Sequence, residues 1–230
     1  MSTSEAGLAL LAALQLADSA LPIGRFVHSH GLEAWLGAHP EAGEDALAEL
    51  VTSVVEEGVA PLDGAVLARA HGCRTLEALL DLDRRLTVRK PARPARHASQ
   101  ACGRQLAALG SELVDDGLVA ALAGRIRAHE TDGNLAVVEG CLTRALGLDA
   151  AAAVVLELRG AAAGLLSAAV RLGRLAPVRA QVVLHRLGPA LERGAALALA
   201  LDDDALRSTA VELEVAALAH RRADARFFST

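Results

Sequence analysis

No stretch of five or more residues in this chain alternates apolar and polar side chains better than it fits a helical period. A half-buried strand needs that alternation, so sheet is disfavoured throughout. Helical spacing recurs instead. Leu47, Leu50, Val51, Val54 and Val55 fall at i, i+3, i+4, i+7 and i+8, one apolar face of a helix. The side chains available agree. Hydrophobic residues make up 53% of the chain, yet aromatics are only 2% and Tyr is absent. The core must be built from Leu, Val and Ala, and Leu and Ala are strong helix formers. With no Pro/Gly/Ser linker and no repeat, residues 1–230 are expected to form one all-α globular domain of about nine to eleven helices.

Further helices can be placed. Leu76, Leu79 and Leu80 begin one that Leu86 continues. Pro91 and Pro94 suit the entry of a helix reaching Gly110. Its face of Ala98, Cys102, Gln105 and Leu109 is mostly small, which predicts a central position. Helices follow at Ala136–Leu146 and Ala150–Leu172, with Asp149 as N-cap of the second. Gly160 and Gly164 predict a close helix crossing, and Gly173 ends that helix. The next starts at Pro177 and runs to about Leu201, with a kink at Gly188-Pro189. Thr209 to Glu212 reads as a capping box before Val211, Val215 and Leu218.

Several function classes are excluded by counting. A net charge of −5 argues against a general nucleic-acid binder. The longest run without Asp, Glu, Lys or Arg, Ala6 to Ala17, has 12 residues and is too short to span a bilayer. It also lacks the basic start of a signal peptide, so a cytoplasmic protein is expected. Cys73, Cys102 and Cys141 are widely spaced and odd in number, which fits buried thiols better than disulfides or a metal site. Lys90 is the only lysine and precedes Pro91, so there is no P-loop. Its basic neighbourhood predicts an exposed side chain, unsuited to Schiff-base chemistry.

Four features could carry function. The first is LADSALPIGRFVHSHGLEAW, from Leu16 to Trp35. His28 and His30 could bind Ni²⁺ or Zn²⁺ through imidazole, but two ligands do not complete a site. Capping or hydrogen bonding at a loop-to-helix junction is the preferred reading. Asp18 and Ser19 precede Pro22 and read as a turn rather than as part of a triad with His28. Gly24 and Gly31 supply bends around Phe26. The second feature, Arg84 to Arg96, reads RRLTVRKPARPAR and contains no acid. A solvated helix end and a patch for an acidic partner fit it equally well, with a phosphate contact as a lesser option. Third is the C-terminus, residues 221–230, where Arg226, Phe227 and Phe228 precede Ser229; such a tail docks either on the chain's own core or on a partner, and a partner-docking tail is the preferred reading. Fourth, Asp202-Asp203-Asp204 and Glu56-Glu57 read as an acidic loop and a helix end with no nucleophile beside them.

These motifs together resemble the urease accessory protein UreF family. LQLADSALPIGRFVHSHGLEAWL, Leu14 to Leu36, is similar to its N-terminal signature. LDRRL (82–86), SQACGRQL (99–106), GNLAVVEGCLTRALGLD (133–149), SAAVRLGRLAPVRAQVVLHRL (167–187) and the final ARFFST follow in the family's order. Arg25 stands where the family usually has a second Gly, and Phe227 where Leu is usual.

The resemblance implies an all-helical, dimerising, non-enzymatic protein. It implies binding to a UreD/UreH-like protein, recruitment of a UreG-like GTPase, and delivery of nickel to apo-urease. No stably bound cofactor is implied: nickel is handled by the complex and GTP is bound by UreG. No nucleic acid or membrane partner is implied. Partner contacts are expected from Arg25, Phe26, His28, Ser29, Arg226, Phe227, Phe228 and Ser229. Asp18, Ser19, Pro22, Gly24 and Gly31 are expected to shape the loop. Two rivals are a metal-dependent helical hydrolase using His28 and His30, and a helical adaptor unrelated to urease.

Overall fold

The computed structural model describes residues 3–28, 31–209 and 213. Among these residues there are eleven α-helices and no strand. They are α1 (Thr3–Ala17), α2 (Leu32–Ala38), α3 (Glu44–Ser53), α4 (Ala65–Gly72), α5 (Leu76–Arg89) and α6 (Arg93–Leu113). Then come α7 (Gly117–Arg127), α8 (Leu135–Ala145), α9 (Ala150–Arg171), α10 (Pro177–Arg186) and α11 (Gly188–Ala200). The expected all-α architecture is what is found.

Between α3 and α4 the chain does not stop. Val54–Gly64 winds as a π-helix and joins the two into one rod, so Glu56 and Glu57 do not mark a helix end. Pro61 lies inside this segment and has no N–H to donate. In the turn before it, the Glu57 carbonyl is tied from outside the helix: the Thr209 amide and hydroxyl donate to it at 2.9 and 3.0 Å. Thr209 was expected to cap the helix that follows it. Its hydroxyl is used on the π-helix instead, and the expected box partner Glu212 lies outside the described residues.

α8 is clamped on two sides because two glycines let backbones touch. A Cβ at Gly140 would lie 2.5 Å from the Leu67 carbonyl of α4. A Cβ at Gly103 of α6 would strike the Gly133 carbonyl just ahead of α8. The buried stripe of α6 runs through Ala98, Cys102, Gly103, Leu106, Ala107 and Gly110. Gln105 is exposed and Leu109 only half-buried, so the expected face was rotated and α6 is less central than α8 and α9. In an Ala-rich helix small residues lie on every side, and pattern alone fixes the face poorly.

α9 is long and apolar enough to span a membrane by length and composition, but it is largely buried here, against α4, α8, α10 and α11. Ala153, Val154, Leu158, Ala162 and Ala169 along it are fully enclosed. Burying a Leu or Val is worth about 1.5–3 kcal/mol, and one connected cluster of such residues links almost every helix. Asp149 caps α9 as expected, accepting from the Ala152 amide at 2.7 Å. The region from Pro177 to Ala200 is two helices, not one kinked helix: α10 ends at Arg186 and Pro189 opens α11.

One polar lock sits within the core. Asp83 on α5 is 1% exposed. Its carboxylate accepts from the Gly133 and Asn134 amides, both at 2.8 Å, from Asn134 Nδ2 at 2.8 Å and from the Thr131 hydroxyl at 2.5 Å. These bonds satisfy amides at the start of α8 that no helical carbonyl can reach.

α1 is unusual in the opposite way. Its Ala9, Ala12, Ala13 and Leu16 face the body, while Leu8, Leu10, Leu11 and Leu14 are 60–65% exposed.

Candidate functional site: the segment after α1 and the cavity it borders

After α1 the chain makes a series of tight turns. The Asp18 carboxylate accepts the Ala20 amide at 2.8 Å, and the Leu21 amide donates to the Asp18 carbonyl at 3.1 Å. Asp18 thus acts as a turn former, next to exposed Ser19 and Pro22. Gly24 and Gly31 both take the left-handed conformation, at φ 78° and 89°, which side chains rarely tolerate. Gly24 opens the short 3₁₀ turn Arg25–Val27, and Gly31 opens α2. Phe26 is half-buried over a small cavity beside Leu156 and Gly160, Val27 is 54% exposed and His28 is half-buried. Ser29 and His30 lie outside the described residues, as do Arg226, Phe227, Phe228 and Ser229. Among the described residues no group of three or more His, Cys, Asp or Glu is placed to hold a metal.

Arg25 turns inward, which the sequence did not reveal. Its Nη2 lies 2.7 Å from Glu139 Oε2 on α8 and 2.6 Å from Glu157 Oε2 on α9. The side chains are 12%, 3% and 8% exposed, so this is a buried triad. The guanidinium fits because residue 160 has no side chain: a Cβ there would collide with Arg25 Nη1. Gly160 therefore receives a side chain, not the close helix crossing expected of it, and a Cβ at Gly164 would lie 3.9 Å from the Arg25 carbonyl.

The electrostatics follow from burial. Desolvation opposes the charge on Arg25, but Glu139 and Glu157 more than offset it and hold the guanidinium above its ordinary range. Burial pushes Glu139 strongly upward, with Arg25 opposing and Glu157 adding to the rise. Glu157 is held below its ordinary value: burial opposes this, but Arg25 and a hydrogen bond from Glu139 prevail. The two carboxyls thus divide into one that keeps a proton and one that stays ionised.

A second buried pair stands near the first. Lys90 Nζ is 2.6 Å from Asp63 Oδ1, with the side chains 12% and 14% exposed. The expectation of an exposed Lys90 fails because its ammonium reaches the π-helix. Burial raises the Asp63 carboxyl, against the pull of Lys90. Both pairs border a cavity of about 190 Å³, walled by the π-helix, the α5–α6 corner and α9, with Leu213 against it. Cys102 also lines it, and burial lifts its thiol to about 11, which leaves it unreactive.

The basic run divides. Arg84 pairs with Asp81 at 3.0 Å and Arg85 with Asp203 at 2.9 Å. Asp203 also pairs with Arg69, so the acidic loop is a clamp between α4 and α5. Arg89 and Arg96 donate to the carbonyls of Arg85 and Lys90.

Comparison with known proteins identifies the relatives of this chain. The UreF family model matches residues 42–188. A urease accessory protein UreF of Cereibacter sphaeroides (strain KD131 / KCTC 12085) is 34% identical over 223 residues, covering 96% of this chain and 99% of that protein. This chain belongs to the UreF family. UreF proteins of Trichodesmium erythraeum and Yersinia enterocolitica are 27% and 26% identical, covering 95% and 96% of the chain and 96% and 97% of their own lengths. Glu139, Glu157 and Asp63 were missed as site residues. The available signal was an acid inside an otherwise apolar helix, VVEGC and VVLEL, and such acids are rarely buried without a partner.

Proposed function

We propose that this chain serves urease maturation as a binding scaffold: it joins a UreD/UreH-like protein, recruits a UreG-like GTPase, and supports GTP-dependent nickel insertion into apo-urease. The observation that carries this reading is the 34% identity to a urease accessory protein over 96% of the chain. The architecture is in keeping with it. The segment bearing Phe26, Val27 and His28 is anchored from beneath by Arg25, which holds it in place as a surface for a partner. In this reading nickel is cargo of the assembly, GTP belongs to the partner, and the scaffold works in the cytoplasm as a homodimer. The C-terminal Arg226, Phe227, Phe228 and Ser229 add contacts to the UreD/UreH-like protein.

Size-exclusion with light scattering and metal analysis tests this, on the chain alone and then with UreD/UreH-like and UreG-like proteins from the same source. A metal-free dimer that gains both partners is expected. A chain that ignores both partners and holds one metal tightly would overturn the reading and direct attention to His28 and His30.

A further inference from the structure

The cavity beside Lys90 has an uneven distribution of charge. Inside it, both cations are matched: Arg25 by Glu139 and Glu157, Lys90 by Asp63. At the α5–α6 corner they are not. Arg89 donates to the Arg85 carbonyl, Arg93 to the His97 ring and Arg96 to the Lys90 carbonyl. Among the described residues none of these three forms an ion pair with a carboxylate. Arg89 lines the cavity directly, with exposed Pro91 beside it. The rest of the wall is mainly apolar: Val59, Leu62, Pro94, Ala95 and Leu165.

We propose that this cavity is a docking site for an acidic peptide segment of a partner protein. One apolar side chain of that segment enters the cavity, and the carboxylates flanking it meet Arg89, Arg93 and Arg96. The size is adequate. An apolar cavity of about 150 Å³ takes benzene, and this one is about 190 Å³. Charge decides between occupants. The chain's own C-terminus carries Arg221, Arg222 and Arg226 against one acid, Asp224, so it is repelled by the same arginines. A nucleic acid would meet their charge but has no aliphatic side chain for the cavity. The inference goes beyond the scaffold reading and does not depend on which accessory protein supplies the segment.

The test uses the full chain and three fluorescein-labelled heptapeptides followed by fluorescence anisotropy. One has a central Leu flanked by Asp and Glu. The second replaces that Leu with Ser, and the third replaces the acids with Lys. The acidic Leu peptide is expected to bind at least about tenfold tighter than either of the others, and to weaken from about 50 to about 300 mM salt. Arg89→Ala with Arg93→Ala, and separately the cavity-filling Ala161→Met, should each weaken it about fivefold or more at unchanged helicity. Four results would overturn the inference: no binding, equal binding of the Ser peptide, undiminished binding by the Ala161→Met chain, or tighter binding of a single-stranded oligonucleotide through Arg89. A gain in affinity on deleting residues 214–230 would assign the cavity to the chain's own tail and overturn it as well. None of these readouts uses the urease partners, so this inference and the scaffold reading fail separately.

Discussion

The guanidinium of Arg25 occupies the slot that Gly160 leaves open on α9. One side chain thereby ties the turn after α1 to two core helices. Gly160→Ala must expel it, because the added Cβ falls on Nη1. Glu139 and Glu157 would then be buried without their cation, a loss on the order of 3–5 kcal/mol. Urea unfolding should show that loss for Gly160→Ala and for Arg25→Gly. The double variant should cost about as much as either single one, since each removes the same contact. Additive costs would show that the slot and the triad are independent.

The triad also makes stability depend on pH, with an unusual sign. An unfolded Glu139 loses its proton near 4.5, whereas in the folded chain burial holds it to about 8. Between those values the folded chain binds the extra proton. The contribution is therefore fully present below the unfolded value and is lost as pH rises to the folded one. Asp63, also raised by burial, acts in the same direction. Glu157, held below its unfolded value, acts oppositely, and its contribution is lost only in acid. The urea midpoint is expected to fall from about pH 5 to about pH 8 and to level off above it, and Glu139→Gln should flatten that slope. The amide keeps a donor for Glu157 and an acceptor for Arg25, but carries no proton to lose. Parallel slopes in the two chains would refute the assignment.

Lys90 gives a chemical readout because it is the only lysine. An amine-directed acylating reagent can modify only it and the α-amino group. Its burial against Asp63 should make it react at least about tenfold slower than a free lysine, since the reagent must reach a side chain only 12% exposed and held by its partner. Mass spectrometry after a short pulse locates the label. Rapid labelling of Lys90 in the native chain would mean that it faces solvent.

Asp83 should be among the costliest residues to change. Its carboxylate receives two backbone amides, a side-chain amide and a hydroxyl. Asp83→Ala leaves these donors buried and unmatched, at about 1–3 kcal/mol for each such group. Thermal unfolding followed by circular dichroism should show a large fall in Tm or no folded state at all. A loss below about 1 kcal/mol would mean that water replaces the carboxylate.

What could be read from the sequence follows the range of the interactions. Helical spacing placed α5, α8 and α9, and the Asp149 cap was legible because its partner is three residues away. The ordered motifs pointed to the UreF family. The Arg25 triad was not legible, because its partners lie 114 and 132 residues along the chain. Nor was the π-helix, whose apolar residues between Val54 and Gly64 also fit an ordinary helix. Lys90 was misjudged for a related reason: its neighbours in sequence are arginines, but its neighbour in space is Asp63.

The seat of Arg25 also sets a rule for how relatives can vary. A chain with Gly at position 25 has no guanidinium to house, so the bar against a side chain at position 160 disappears. The same chain leaves the carboxyls at positions 139 and 157 with no cation from this turn. The four positions should therefore change in concert among UreF sequences. Arg at position 25 should accompany Gly at 160 and two acids. Its loss should accompany bulk at 160, a neutral residue at 139 or 157, or a basic residue supplied from another helix. One buried contact would then be visible as a pattern of inheritance across relatives.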